Sequence, residues 1–223
     1  MSTVHATVAV VKFPGSLDHD SAVRAAIQAG ARATLVHHKD AELPDGTTAV
    51  VLPGGFSYGD HLRCGAIASR APIMAPVMRF AADGGRVLGI CNGFQILCEA
   101  GLLPGVLRPN TTLSFICRQV TLTIDDAETG WTGAHTSGAQ LSIPIKNHDG
   151  AWFGDPTEGR VVFRYDEANP TGSLEGIAGI ANRDGNVLGM MPHPECACDP
   201  LVGSDDGRVL FDALIGAVAV GAA

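Results

Sequence analysis

Basic residues are scarce: fifteen Lys and Arg stand against twenty-three Asp and Glu, a net charge of -8 over 223 residues. Such a balance presents no counterion-releasing surface, so nucleic acid is excluded as the expected partner in favour of small molecules or proteins. Long apolar runs are also lacking. The most apolar stretch, Ala213 to Ala223, falls well short of the roughly 20 residues needed to cross a bilayer, so no membrane span is expected and the segment reads as a packed helix. Met1 to Lys12 lacks the charged head, apolar centre and small-residue cleavage site of a signal peptide, which points to the cytoplasm. No Ser-rich, Gln-rich or like-charge block marks a disordered arm or linker. With 46% hydrophobic residues, the chain is expected to form one domain over 1–223.

No CxxC pair occurs among Cys64, Cys91, Cys98, Cys117, Cys196 and Cys198, and without an export signal these are expected to be reduced thiols. Cys196-Ala-Cys198 has a spacing unusual for zinc and no matching second pair, so no metal site is expected.

What is present is an alternation. Thr7 to Val11, Ala49 to Leu52 and Arg86 to Ile90 are short Val-rich apolar runs that suit strands covered on both faces. Helical patterns lie between them, at Ser21 to Ala29 and across Gly65 to Ala82, the latter interrupted by Pro72 and Pro76. This predicts an α/β fold with a doubly wound, mostly parallel sheet. After Gly101 the strand-like pieces Leu113 to Ile124, Ala139 to Ile145, Arg160 to Tyr165 and Gly176 to Ala181 predict an antiparallel layer or extension. Asn186 to Met190 reads as one more buried strand, and Gly207 to Gly221 as a closing helix whose glycines allow close packing.

The most informative segment runs from Arg86 to Gly101, where an apolar strand enters Gly89-Ile-Cys91-Asn-Gly93 and then a helical period. This is the nucleophile-elbow pattern with sulfur in place of oxygen. A side chain at the tip of so sharp a turn needs small neighbours, which Gly89 and Gly93 supply. The helix that follows directs its free N–H groups toward the sulfur, and the N–H of Asn92 is a candidate oxyanion donor. Cys98, two turns on with apolar neighbours, reads as core.

A free thiol is only a few per cent ionised at neutral pH, so Cys91 calls for a base. His193 stands out among the eight histidines because it follows a strand and is flanked by Pro192 and Pro194, which fix the backbone. Glu195, two residues on in an extended segment, is placed to orient the imidazole. Leu52 to Asp60 follows another buried strand, so it emerges on the same sheet edge, and Gly54-Gly55 lets backbone approach a ligand. The N–H of Gly55 is the second candidate oxyanion donor. No phosphate-binding loop pattern is present there.

These motifs resemble the class I, triad-type glutamine amidotransferases, with their flavodoxin-like sheet. Further matching runs are Phe13 to Ser16, Pro53 to Asp60 with Leu62-Arg63, Gly89 to Leu97, Leu102 to Gly105, Phe115 to Arg118, Met191 to Glu195 and Gly203 to Gly207. The Phe56-Ser-Tyr-Gly-Asp60 run and the Gly203 to Gly207 tail are similar to the subfamily of glutaminase subunits that serve phosphoribosylformylglycinamidine synthase. The resemblance implies a Cys91, His193, Glu195 triad that releases ammonia from glutamine. It implies a large synthetase subunit as partner, with a small accessory subunit, making formylglycinamidine ribonucleotide for purine biosynthesis. ATP and Mg would be used by the synthetase, with no cofactor in this chain. Gly54, Phe56 and Gln95 are further expected glutamine contacts. Two departures stand out: Leu17-Asp18 where the family commonly has Asn-Cys, and Lys146-Asn-His-Asp-Gly150 for the usual Ala-His-Gly-Glu-Gly. They leave the triad untouched and bear on the partner interface and the rim of the site. Other thiol hydrolases share a Cys elbow, and a non-catalytic binding module could keep the fold.

Overall fold

The computed structural model describes residues 6–166 and 168–220. In chain order the strands and helices are β1 (Thr7–Lys12), α1 (His19–Gln28), β2 (Arg32–His37), β3 (Ala49–Leu52), α2 (Met74–Ala82), β4 (Arg86–Ile90) and α3 (Asn92–Glu99). There follow β5 (Val106–Arg108), β6 (Ile116–Ile124), β7 (Gln140–Asn147), β8 (Ala151–Phe153), β9 (Arg160–Tyr165), β10 (Ile177–Ala181), β11 (Val187–Met190) and α4 (Arg208–Val220).

Nine strands form one sheet in the order β2-β1-β3-β4-β11-β10-β9-β6-β7. The pairs β1–β2, β1–β3, β3–β4 and β4–β11 are parallel, and β10–β11, β9–β10, β6–β9 and β6–β7 are antiparallel. The expected antiparallel part is therefore an extension of the same sheet. β5 and β8, not anticipated from the sequence, form a separate two-stranded ribbon. Val8 to Val11, Val50 to Leu52 and Val87 to Ile90 are buried on both faces, as their unbroken apolar character requires.

β2 was not foreshadowed by an apolar run. It is the edge strand, with only Val36 buried, so it has no need of one. The helical pattern across Gly65 to Ala82 resolves into a 3-10 turn at Ala68–Arg70 and α2, which starts two residues after Pro72. Pro76 sits in the first turn of α2, where its missing N–H removes no intrahelical bond. In α4, Leu210, Phe211 and Leu214 are buried. The expectation of close-packing glycines holds at Gly207, where a Cβ would strike the Pro194 carbonyl, but not at Gly216, which has open space around it. Gly221 lies outside the described residues. No helix among the described residues is long and apolar enough to cross a membrane.

β1 lies between β2 and β3, so the chain leaves β1 in one direction and returns to its other side. That reversal opens a crevice beyond the carboxyl ends of the strands. The loops after β1, β3, β4 and β11 all emerge there.

Candidate active site

Cys91 ends β4 and opens α3 with φ 50° and ψ -106°, a left-handed backbone that a non-glycine residue adopts only under constraint. The constraint is visible on both sides. A Cβ at Gly93 would collide with the Leu52 carbonyl oxygen, and one at Gly89 would lie 2.5 Å from Leu97 Cδ1 and 2.7 Å from the Gly93 oxygen. The two glycines thus let β3, β4 and α3 crowd together behind the thiol, as the elbow pattern demands. The Cys91 N–H donates to Met190 O (2.8 Å), and its thiol donates to the Lys146 carbonyl (3.8 Å). Asn92 is the first residue of α3, so its N–H is among the helix donors without an intrahelical acceptor.

β11 runs parallel to β4 in the register Ile90 to Met190, which brings His193 to the same sheet edge. The His193 N–H donates to Pro144 O at 2.8 Å, anchoring the loop to β7. Its imidazole is 1% exposed, and Nδ1 lies 2.6 Å from Glu195 Oε1. Glu195 reaches it by a different path from the extended one expected: Pro194–Cys196 is a 3-10 turn, because Pro194 supplies the fixed φ that starts one. Burial alone pushes the imidazole toward neutrality. The Glu195 charge, then the charge of Cys91 and hydrogen bonding to both, outweigh it and hold the His193 pKa well above its ordinary value.

Cys91, His193, Gly55, Phe56 and Gln95 line one cleft, joined by Leu17, Asp18, Asp60, Cys64, Phe115 and Lys146 to Asp149. Gly55, at φ +147°, is locked against the β1 loop, for its backbone pairs with Ser16 and a Cβ there would strike the Gly15 carbonyl. Gly54 is closed in too, since a Cβ would lie 2.6 Å from Asp18 Oδ2 and 2.7 Å from His193 Cε1. Gln95, far from free, donates from Nε2 to Asp149 O (2.6 Å) and accepts from Asn92 Nδ2 (2.8 Å). Phe56 is 48% exposed at the mouth.

The Asn92 side chain does work that its sequence position did not suggest. Its Oδ1 accepts the Ser57 N–H at 3.1 Å, tying α3 to the loop at Ser57–Asp60, in which Tyr58 and Asp60 both have φ 53°. Cys64 borders the cleft, and burial, followed by the charge of Asp60, pushes its thiol up and away from reactivity. Cys98 packs against the core and donates to Pro104 O, while Cys198 is buried; burial pushes both thiols up. All six cysteines are free. Besides His193, His148 also lines the cleft.

Asp18 and Lys146, one from each departure in the sequence, meet at the site. Lys146 Nζ lies 2.5 Å from Asp18 Oδ1, and Asp18 Oδ2 lies 3.7 Å from His193 Nδ1. The burial of Lys146 works against its charge, but the hydrogen bond and charge of Asp18 keep the ammonium pKa above the ordinary value. The polar atoms of Asp18, His193, Glu195 and Cys196 converge within 4.8 Å of one another. Such a cluster attracts a cation, and the Lys146 ammonium supplies that charge.

A thiol at an elbow beside a buried imidazole-carboxylate pair is equipped for acyl transfer. The family of CobB/CobQ-like glutamine amidotransferase domains matches residues 5–206. The chain belongs to the glutamine amidotransferase family. This amidotransferase is 53% identical over 214 residues to the phosphoribosylformylglycinamidine synthase subunit PurQ of Nocardia farcinica, covering 92% of this chain and 95% of the relative. It is 50% identical over 221 residues to the PurQ subunit of Rhodococcus jostii, covering 96% and 98%. Among solved structures, PurLQS from Thermotoga maritima superposes with a TM-score of 0.91 at 39% identity, covering 96% of this chain and 99% of that one.

Proposed function

We propose that this chain is the glutaminase subunit of a phosphoribosylformylglycinamidine synthase, acting through Cys91, His193 and Glu195. The observation that carries the reading is the His193 to Glu195 contact of 2.6 Å in a cleft shared with an elbow cysteine, in a chain half identical to PurQ subunits.

In this reading the Cys91 thiolate attacks the side-chain amide carbon of glutamine, and the carbonyl electrons move onto oxygen. The N–H groups of Asn92 and Gly55 hold that oxyanion. As the intermediate collapses, the C–N bond breaks and His193 gives its proton to the leaving nitrogen, releasing ammonia and a thioester. His193 then takes a proton from water, which attacks the thioester; the thiolate leaves and glutamate forms. Glu195 keeps the imidazole in its working tautomer throughout. Gly54 closes the wall behind His193, while Gln95 braces Asn92 and the loop at Asp149. Neither is assigned a direct bond to substrate; Phe56 is assigned a place at the mouth.

Ammonia passes to a large synthetase subunit, with a small accessory subunit, as the PurLQS assembly suggests. That partner converts formylglycinamide ribonucleotide to its amidine with ATP and Mg. Three large apolar side chains at the cleft, Leu17, Phe56 and Phe115, are 48–64% exposed, which suits a docking face around the exit. The complex is assigned to the cytoplasm. The test is reconstitution with the synthetase and accessory subunits, comparing glutamine with ammonium salts. Cys91→Ala should abolish glutamine-driven amidine formation and spare the ammonium-driven reaction. Loss of both in an assembled complex would overturn the division of labour.

A further inference from the structure

We infer that Asp18 and Lys146 are positioning residues that act as a balanced charge pair on His193: Asp18 is a second carboxylate facing the imidazole, and Lys146 cancels most of its field. The inference rests on the glutaminase reading above.

The geometry is specific. His193 Nδ1 faces Glu195 at 2.6 Å and Asp18 at 3.7 Å. Asp18 cannot retreat, because its own N–H donates to Gly54 O, its carboxylate stands over the Cα of Gly54, and the group is 8% exposed. Two carboxylates on one imidazole would overstabilise the imidazolium and hold back the proton that the leaving ammonia needs. Lys146 answers this from β7: its ammonium is on Asp18, while its backbone carbonyl accepts from the Cys91 thiol. One residue therefore touches the nucleophile with its main chain and the base's surroundings with its side chain.

The other charged or titratable groups near His193 are Cys91 at the start of α3, and Glu195 and Cys196 on its own turn. Asp60, Cys64, His148 and Asp149 line the cleft further round. Among these described groups, Lys146 is the side chain with a permanent positive charge.

A balanced pair makes a prediction with opposite signs. The experiment measures kcat/KM for glutamine against pH in the reconstituted complex, for wild type, Lys146→Met, Asp18→Asn and the double variant. Removing the positive charge leaves the Asp18 carboxylate, 3.7 Å from the imidazole, unopposed, so Lys146→Met should move both limbs of the profile up by about one unit, the scale expected of one uncompensated charge at that range. Asp18→Asn should move both limbs down by a similar amount. The double variant should return to within about a third of that shift, because the two effects oppose each other. As a readout independent of turnover, protein labelled at histidine Cε1 should show the His193 titration moving in the same directions by NMR. Equal losses of activity with unmoved limbs and an unmoved His193 titration would show a purely structural latch and overturn the inference. A change confined to KM would assign the pair to substrate binding and overturn it as well. An inactive wild-type complex would instead remove the glutaminase reading on which it rests.

Discussion

His193 Nδ1 and Glu195 Oε1 lie 2.6 Å apart across a single 3-10 turn, within a wall that leaves the imidazole 1% exposed. A buried cation is tolerable there only because the carboxylate is beside it, so the pair couples stability to pH. The folded pKa of His193 is raised above its unfolded value, so its stabilising contribution is complete below about pH 6.5 and is lost as pH rises through the folded value. In Glu195→Gln that contribution is largely absent. The difference in urea midpoint between wild type and Glu195→Gln should be widest near pH 6 and narrow as pH rises through the folded pKa of His193. A gap that widens with pH would contradict the charged pair.

The elbow glycines are expected to be irreplaceable. Gly93→Ala places a methyl group on the Leu52 carbonyl, between strand and helix backbones that cannot both move. Overpacking of this kind costs about 1–3 kcal/mol, and the upper part of that range applies when backbone is the obstacle. Urea denaturation would measure the loss, and Gly216→Ala, inside α4 with open space around it, serves as the control of opposite sign, expected to gain up to about 1 kcal/mol from helix propensity.

Asn92→Ala should leave the buried Ser57 N–H without its acceptor, at a cost of about 1–3 kcal/mol. The same bond fixes the loop that carries Gly55 and Phe56 toward the cleft. Turnover is therefore expected to fall more than KM rises, since an oxyanion donor that loses its position is missed in the transition state. Steady-state kinetics on the complex would show it. A rise in KM alone would place Asn92 with the substrate.

Cys98→Ala should keep glutamine hydrolysis near wild type and cost on the order of 1 kcal/mol in stability, because the thiol packs against the core and donates only to Pro104 O. Cys91→Ala should do the reverse, abolishing hydrolysis with little effect on the midpoint. Parallel glutamate-release and denaturation measurements separate the two.

The elbow was legible because its requirements are local: strand, two glycines, thiol and helix follow one another in twelve or so residues. The buried strands were legible for the same reason, since each carries its own unbroken apolar run. β2 was not, because an edge strand needs no such run, and the short β5–β8 ribbon was not, because it depends on a partner far along the chain. The Asp18–Lys146 contact joins residues 128 positions apart. Each is an isolated departure in the sequence, and only their opposite charges hint at the contact. The sequence does not fix the path of Glu195 to His193, because proline favours both an extended segment and the start of a 3-10 turn.

β4 and β11 are neighbours in the sheet, yet the segments that build the whole antiparallel half lie between them in the chain. The nucleophile is in place once β4 and α3 have formed, but its base arrives only when β11 docks, and docks with Ile90 opposite Met190. A slip of one residue would carry His193 about 3.3 Å along the strand and reverse the faces of its neighbours. Glutamine turnover therefore depends on this long-range closure, and a chain still being synthesised carries an unarmed thiol until β11 has emerged and docked.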